Sequence, residues 1–230
     1  MKISTYLKGL GLIAVAMVLQ ACADSSGIPV RYEATLTNLT NDQPISPVAV
    51  VLHRPGYAGW SAGVAVSAGL ELLAEGGDNS IFLNEAAASN QVVDTASAAG
   101  AIAPGSSDSL TLSSFGFAGL QLTLAGMLVN TNDAFSGVTG ASLASLAPGQ
   151  MLTMNLHAYD AGTEANSETA ATIPGPAGGG EGFNAVRNDR DTVAIHPGVV
   201  TMGDGLATSA LSQSHRFDQP VARLTVTRLN

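Results

Sequence analysis

From Arg31 to Leu39 the chain alternates, with Tyr32, Ala34, Leu36 and Asn38 on one face and Glu33, Thr35 and Thr37 on the other. A side-chain period of two with β-branched residues marks a half-buried strand. The pattern returns near the C-terminus in VARLTVTR (221–228), which places Val221, Leu224 and Val226 near the core. Short apolar or alternating runs at 47–52 (PVAVVL), 109–113 (SLTLS), 120–129 (LQLTLAGMLV) and 151–158 (MLTMNLHA) are also expected strands, divided by turns such as Asn41-Asp42-Gln43-Pro44. Helical patterning is confined to SAGLELLAE (67–75) and a second short stretch at 81–88. In the first, Leu70, Leu73 and Ala74 share a face, Ser67 caps the start and Gly76-Gly77 ends it. A parallel α/β sheet needs strands and helices in regular alternation, and that is missing. The expected fold is therefore all-β: an antiparallel β-sandwich with one or two short helices in its connections.

Such a fold must stand without covalent cross-links, because Cys22 is the only cysteine. Hydrophobic residues make up 46% of the 230 and charged residues only 12%, enough apolar material for one core and too little charge for a disordered, solvating chain. The formal charge is −9. An acidic surface argues against nucleic acid, which is gripped by Lys and Arg on phosphates. It suits a divalent cation far better.

The lone cysteine closes a targeting signal. Met1 to Lys8 carries two lysines and no acid, and Gly9 to Leu19 is apolar and uncharged. That run is too short to span a bilayer, which takes about 20 apolar residues. A basic start, a short apolar core and a small-residue exit make a secretory signal. The exit, Leu19-Gln20-Ala21-Cys22, resembles the lipobox of bacterial lipoproteins, with Cys22 as the lipidated residue. Ala23 after it resembles the sorting signal for the outer membrane. The expected organisation is a signal peptide at 1–21, a tether at 22–29 and one domain at 30–230. Loss of the signal removes Lys2 and Lys8 and no acid, so the mature charge falls from −9 by two, to −11. The protein is expected in the cell envelope, held to the membrane through its N-terminal lipid.

Two acid-bearing loops follow expected strands. Asn130-Thr131-Asn132-Asp133-Ala134-Phe135 comes after the run at 120–129, and Tyr159-Asp160-Ala161-Gly162-Thr163-Glu164-Ala165-Asn166 after that at 151–158. Loops at one edge of a sandwich meet. Calcium takes six to eight oxygens from a backbone that can bend round it. Asp160 and Glu164, with Gly162 between them, can turn onto one ion, and Asp133 can close it from the neighbouring loop. The alternative for these residues is ordinary solvated loop acids.

Several segments are similar to the spondin N-terminal domain family: YEATLTNLT (32–40), QPISP (43–47), LAEGGD (73–78), MLVNTNDAF (127–135), YDAGTEAN (159–166) and His196-Pro197-Gly198. Together they extend over nearly the whole mature chain. The resemblance implies a β-sandwich with a calcium ion in its edge loops, held by Asp133, Asp160 and Glu164, and a binding or adhesion role toward an extracellular protein or glycan. Animal members carry Asp where Glu164 stands, Pro-Asp-Trp in place of Asn132-Asp133-Ala134, and cysteines that this chain lacks.

A competing enzymatic reading comes from Gly59-Trp60-Ser61-Ala62-Gly63, which matches the G-x-S-x-G nucleophile elbow of a serine hydrolase with Ser61 as nucleophile. The elbow belongs to a mostly parallel sheet with crossover helices, which this sequence does not predict; a tight loop before the first helix is the expected structure. His53, His157, His196 and His215 are too scattered for a zinc site, and His157 is expected to pack or hydrogen-bond on its strand. Gly178-Gly179-Gly180-Glu181-Gly182 lacks the Lys-Ser/Thr of a phosphate loop. Trp60, the only tryptophan, is either a surface anchor or a lid over the core.

Overall fold

The alternation in 31–39 becomes strand β1 (Val30–Asn38), with Tyr32, Ala34, Leu36 and Asn38 buried as the period requires. The computed structural model describes residues 27–230; the signal segment and Cys22 lie outside the described residues. The other main strands are β2 (Ala49–His53), β3 (Val92–Ser97), β4 (Ser107–Ser114), β5 (Gln121–Met127), β6 (Ala134–Ser142), β7 (Met151–Asp160) and β9 (Ala222–Arg228), with a two-residue β8 (Ala194–Ile195) beside β7. Helices α1 (Ala68–Gly76) and α2 (Ser80–Ala87) both fall between β2 and β3. Ser67 caps α1 by accepting from Leu70 N, and Gly77 ends it in the left-handed conformation at φ 70°, both at the expected positions.

All pairings are antiparallel, in the order β3-β2-β5-β6-β7-β9-β1-β4. Strand β7 belongs to both halves of this sheet. Its first part, Met151 to Leu156, pairs with β9, and its last part, His157 to Asp160, pairs with β6. The sheet thus folds back on itself, and its two layers enclose one apolar core. Leu36, Leu112, Leu224 and Val226 from one layer pack with Val50, Leu52, Leu122 and Leu124 from the other. The two edge strands nearly meet: the Asp94 carboxylate on β3 accepts from Ser113 N on β4 at 2.7 Å. The all-β expectation holds.

A second apolar cluster lies outside β2, β5 and β6, under the helices. Leu70, Leu73 and Ala74 of α1 pack there with Ala49, Val51, Phe82 and Phe135. Trp60 is buried in it, edge-on to Phe135 with ring centroids 5.1 Å apart and to Tyr159 at 6.0 Å, so it is a core lid rather than a surface anchor. Gly137 on β6 makes room for it: a Cβ there would stand 2.2 Å from Leu124 O and 2.7 Å from Trp60 Cη2. His157, expected to pack or hydrogen-bond, is instead exposed on the outer face of β7.

The register fixes which strand ends lie together. Ala222 of β9 pairs with both Asn38 and Leu156, so the end of β1 and the end of β7 lie at one pole. Val30, where the chain enters from its N-terminal segment, pairs with Ser114 at the opposite pole.

Overpacking a tight strand costs about 3 kcal/mol. Gly137→Ala is expected to lower unfolding free energy by about that much in urea titration, and an unchanged midpoint would refute the Trp60–Gly137 packing.

Candidate functional site

Six residues, Leu128 to Asp133, connect β5 to β6, and the tightness of this turn sets the position of Asp133. Thr131 Oγ1 donates to Leu128 O at 2.6 Å and accepts from Ala134 N at 3.1 Å. The turn is pinned to the β1–β2 connection by Gln43, whose Oε1 accepts from Asn130 N and whose Nε2 donates to Asn130 O. Across the turn, β7 ends at Asp160, the pairing partner of Ala134. The chain then makes a sharp bend at Gly162, where φ is +74° and an added Cβ would meet Thr192 O at 2.5 Å. Only glycine fits there.

This bend folds the Ala161–Glu164 segment over Asp133. Asp133 Oδ2 accepts from Thr163 N at 2.8 Å, Glu164 N at 3.1 Å and Thr163 Oγ1 at 3.2 Å. Asp160 Oδ1 accepts from Gly162 N and its Oδ2 from Asn166 Nδ2, both at 2.8 Å. Asn166 is held by the buried His196. Gly198 N donates to His196 Nδ1 at 3.0 Å, which leaves Nε2–H to donate to Asn166 Oδ1 at 3.2 Å. Burial lowers the His196 pKa to about 4, so the ring is neutral at physiological pH and keeps this tautomer. The half-exposed Arg190 guanidinium stands 3.6 Å from Asp160 Oδ2.

All three acids expected from the sequence, Asp133, Asp160 and Glu164, are buried in this one loop cluster. A fourth joins them that the sequence reading did not single out. Glu75, near the end of α1, is fully buried; its Oε2 accepts from Asn184 N at 2.9 Å, and it lies within electrostatic reach of Glu164. A loop carrying Arg187 to Asp191 straps these parts together. Arg187 grips Glu71 on α1 through Nε at 2.9 Å and Nη2 at 2.6 Å, while Asn188 N and Asp191 N donate to Thr163 O and Gly162 O.

These carboxylates are short of partners. Asp133 Oδ1, Glu164 Oε2 and Glu75 Oε1 are buried and have no hydrogen-bond partner. Burying a charge without compensation is costly, and a carboxylate responds by holding its proton. Burial, reinforced by the Asp160 charge, pushes Asp133 up to about 7. Burial and then the Glu75 and Asp133 charges push Glu164 up to about 7. Burial raises Glu75 too, against the bond from Asn184 N. Among the described residues, no three His, Cys, Asp or Glu side chains enclose a metal ion as they stand. The acids share a loop cluster, and existing hydrogen bonds hold Asp133 Oδ2 and both Asp160 oxygens.

A further buried acid lies close by. Glu168 has φ +56°, takes Val200 N on Oε1 at 3.1 Å, and leaves Oε2 without a partner. Burial pushes it up to about 7.

Ser61 is exposed in a loop, its sheet is antiparallel, and five residues separate it from the Ser67 cap of α1. The parallel surroundings of a nucleophile elbow are not what the chain builds. The His53 ring is engaged by Thr123 Oγ1 and Arg54 O.

The sequence matches no known family model and no curated protein significantly.

An acid whose folded pKa lies above its unfolded value stabilises the fold at low pH and loses that contribution as pH rises through the folded pKa. For Glu168, raised to about 7, the window is about pH 4.5 to 7. Glu168→Gln is expected to flatten the fall in melting temperature between pH 5 and 8 and to be more stable than wild type at pH 8, by about 1–3 kcal/mol. Parallel melting-versus-pH curves for the two proteins would contradict this.

Proposed function

We propose that this protein is a lipid-anchored, extracytoplasmic calcium-binding module of the spondin N-terminal type, serving adhesion or ligand binding in the cell envelope, on the outer membrane. The observation that carries the calcium reading is the set of buried carboxylate oxygens without partners on Asp133 and Glu164, in loops that also hold Asp160. Their chemistry fits a hard divalent cation, which prefers carboxylates, amides and carbonyls. Calcium would supply the positive charge that these desolvated carboxylates lack. Asp133 and Glu164 would offer their unpartnered oxygens, and Asp160 would turn from its Asn166 bond. Arg190, exposed and weakly placed, would swing aside.

The role of the protein's own residues is to hold that geometry. Gly162 lets the loop double back, Asp133 Oδ2 clamps it through Thr163 and Glu164 N–H, and His196 with Asn166 orients Asp160. Ion binding would then fix the surface that these loops present. The cluster lies at the pole opposite Val30, where the chain arrives from the tether. Anchored through Cys22, the domain would hold these loops away from the membrane, as an adhesive or ligand-binding surface requires.

A ligand that binds only the folded state stabilises it by about 2.7 kcal/mol at a hundredfold excess over Kd, roughly 5–10 °C for a chain of this size. Wild type is expected to melt several degrees higher in millimolar calcium than in EDTA, and magnesium, which demands a tighter octahedral shell, to do less. Asp133→Asn, Asp160→Asn and Glu164→Gln should each lose most of the shift. Identical melting of wild type in EDTA and in calcium would end the calcium reading.

The anchor has its own test. Metabolic labelling with an alkyne fatty acid should tag wild type and leave Cys22→Ala untagged; equal labelling of both would overturn lipidation at Cys22.

A further inference from the structure

The pole opposite the acidic loops has the reverse character. Val30 pairs with Ser114 there, and the β4–β5 connection, residues 115–120, begins beside it. The β6–β7 connection, residues 143–150, meets that loop: Val30, Tyr32, Phe117, Leu143 and Arg228 line one groove of about 180 Å³. On its rim Phe115 is 58% exposed and Phe117 44%, and the exposed Ile28 and Leu229 lie at the same end of the sheet. Single exposed apolar residues need no explanation, but a patch of them marks an interaction surface.

The charge is reversed as well. Residues 28–31, 115–120, 143–150 and 228–230 contain no acid. Arg31, Arg54 and Arg228 stand at this end, and among the described residues none of them makes an ion pair. The Arg54 guanidinium lies 5.0 Å from the centre of the Phe117 ring. Arg228 donates only to the carbonyls of Leu146 and Asn230. Around the acidic loops, by contrast, Arg187, Arg190 and Arg216 are each paired with an acid. The chain also leaves for its anchor from the basic pole. Asn230 fixes the exit, with Nδ2 donating to Pro29 O at 2.9 Å and Oδ1 accepting from Arg31 N at 2.8 Å. Cys22 stands eight residues before Val30, a stretch that reaches at most about 28 Å when fully extended. A lipid on Cys22 therefore keeps this pole within that distance of the bilayer.

We infer that this pole docks on the bilayer itself: Phe115 and Phe117 enter the lipid interface, and Arg31, Arg54 and Arg228 face anionic headgroups. This rests on the anchoring reading above and adds an orientation to it. Apolar side chains flanked by basic ones bind an anionic lipid surface through both burial and charge. The acidic loops do not oppose the contact. Strand β1, nine residues long, separates the two poles by about 30 Å, several times the screening length of about 8 Å at physiological salt. Docking would hold the domain upright, with the acidic loops facing away from the membrane.

The test couples the mature chain through Cys22, its only cysteine, to a maleimide-bearing lipid in vesicles of phosphatidylethanolamine and phosphatidylglycerol. That bond forms whether or not cells lipidate Cys22, so a failure of docking is separable from a failure of the anchoring reading, which fatty-acid labelling tests. Brominated acyl chains quench indole emission at short range. The reporters are Phe117→Trp at the basic pole and Leu39→Trp, exposed at the acidic pole. Wild type, with the buried Trp60 alone, gives the background. Phe117→Trp is expected to lose most of its added emission on brominated vesicles, and Leu39→Trp to keep its own. Phe115→Trp reports on the same surface should Phe117→Trp not fold. Unquenched emission from the basic-pole reporter, or equal quenching of Leu39→Trp, would overturn the inference.

Discussion

Buried carboxylate oxygens without partners are the costliest feature of this molecule, and the arrangement of one whole pole follows from them. Asp133, Glu164 and Glu75 each leave one such oxygen. Each is fixed by elements that the fold cannot easily move: a six-residue hairpin connection, a bend that only glycine allows, and the last turn of a helix packed on the sheet. The apolar core is built of ordinary alternating strands. The acidic pole departs from every preference for low-cost burial, and such departures gather where a protein binds something.

The same logic explains why two apolar clusters are needed. The inner one, between the layers joined by β7, makes the sheet. The outer one, with Trp60 over Gly137 and Phe135 against Tyr159, holds α1 in place. Without that outer cluster Glu75 would sit in solvent, and the loops would carry ordinary surface acids. Packing on the outside of the sheet thus sets the electrostatics at its end.

Much of the sheet could be read from the sequence. The period of two in β1 and β9 and the apolar runs of β2, β5 and β7 survived because each has one face on the core. Ser67 and Gly77 marked α1 because cap chemistry is local. Strand β6 was missed: AFSGVTGAS is poor in branched residues, and its Gly137 serves Trp60, a contact 77 residues away in sequence. Strand β3 was missed because VVDTAS is partly buried along its length and shows no alternation. At the site, Asp133, Asp160 and Glu164 were legible as loop acids after strands. Glu75 was not, because within its helix it reads as one more polar residue beside Ala74, and only the tertiary fold buries it and sets Asn184 N on its carboxylate. The His196–Asn166 support of Asp160 was hidden for the same reason; the histidine is 30 residues from the asparagine it orients.

The central claim is that these acids form a cation site rather than a set of permanently protonated side chains. Two raised groups, Asp133 and Glu164, stand at about 7, so an ion that takes them must displace protons. Calorimetric titration of calcium at pH 7, in two buffers of different ionisation enthalpy, measures both events at once. One calcium per chain with release of protons, seen as a buffer-dependent heat, is the predicted result. No heat of binding up to millimolar calcium in either buffer would contradict it and leave the pole as a cluster of neutral, hydrogen-bonded acids.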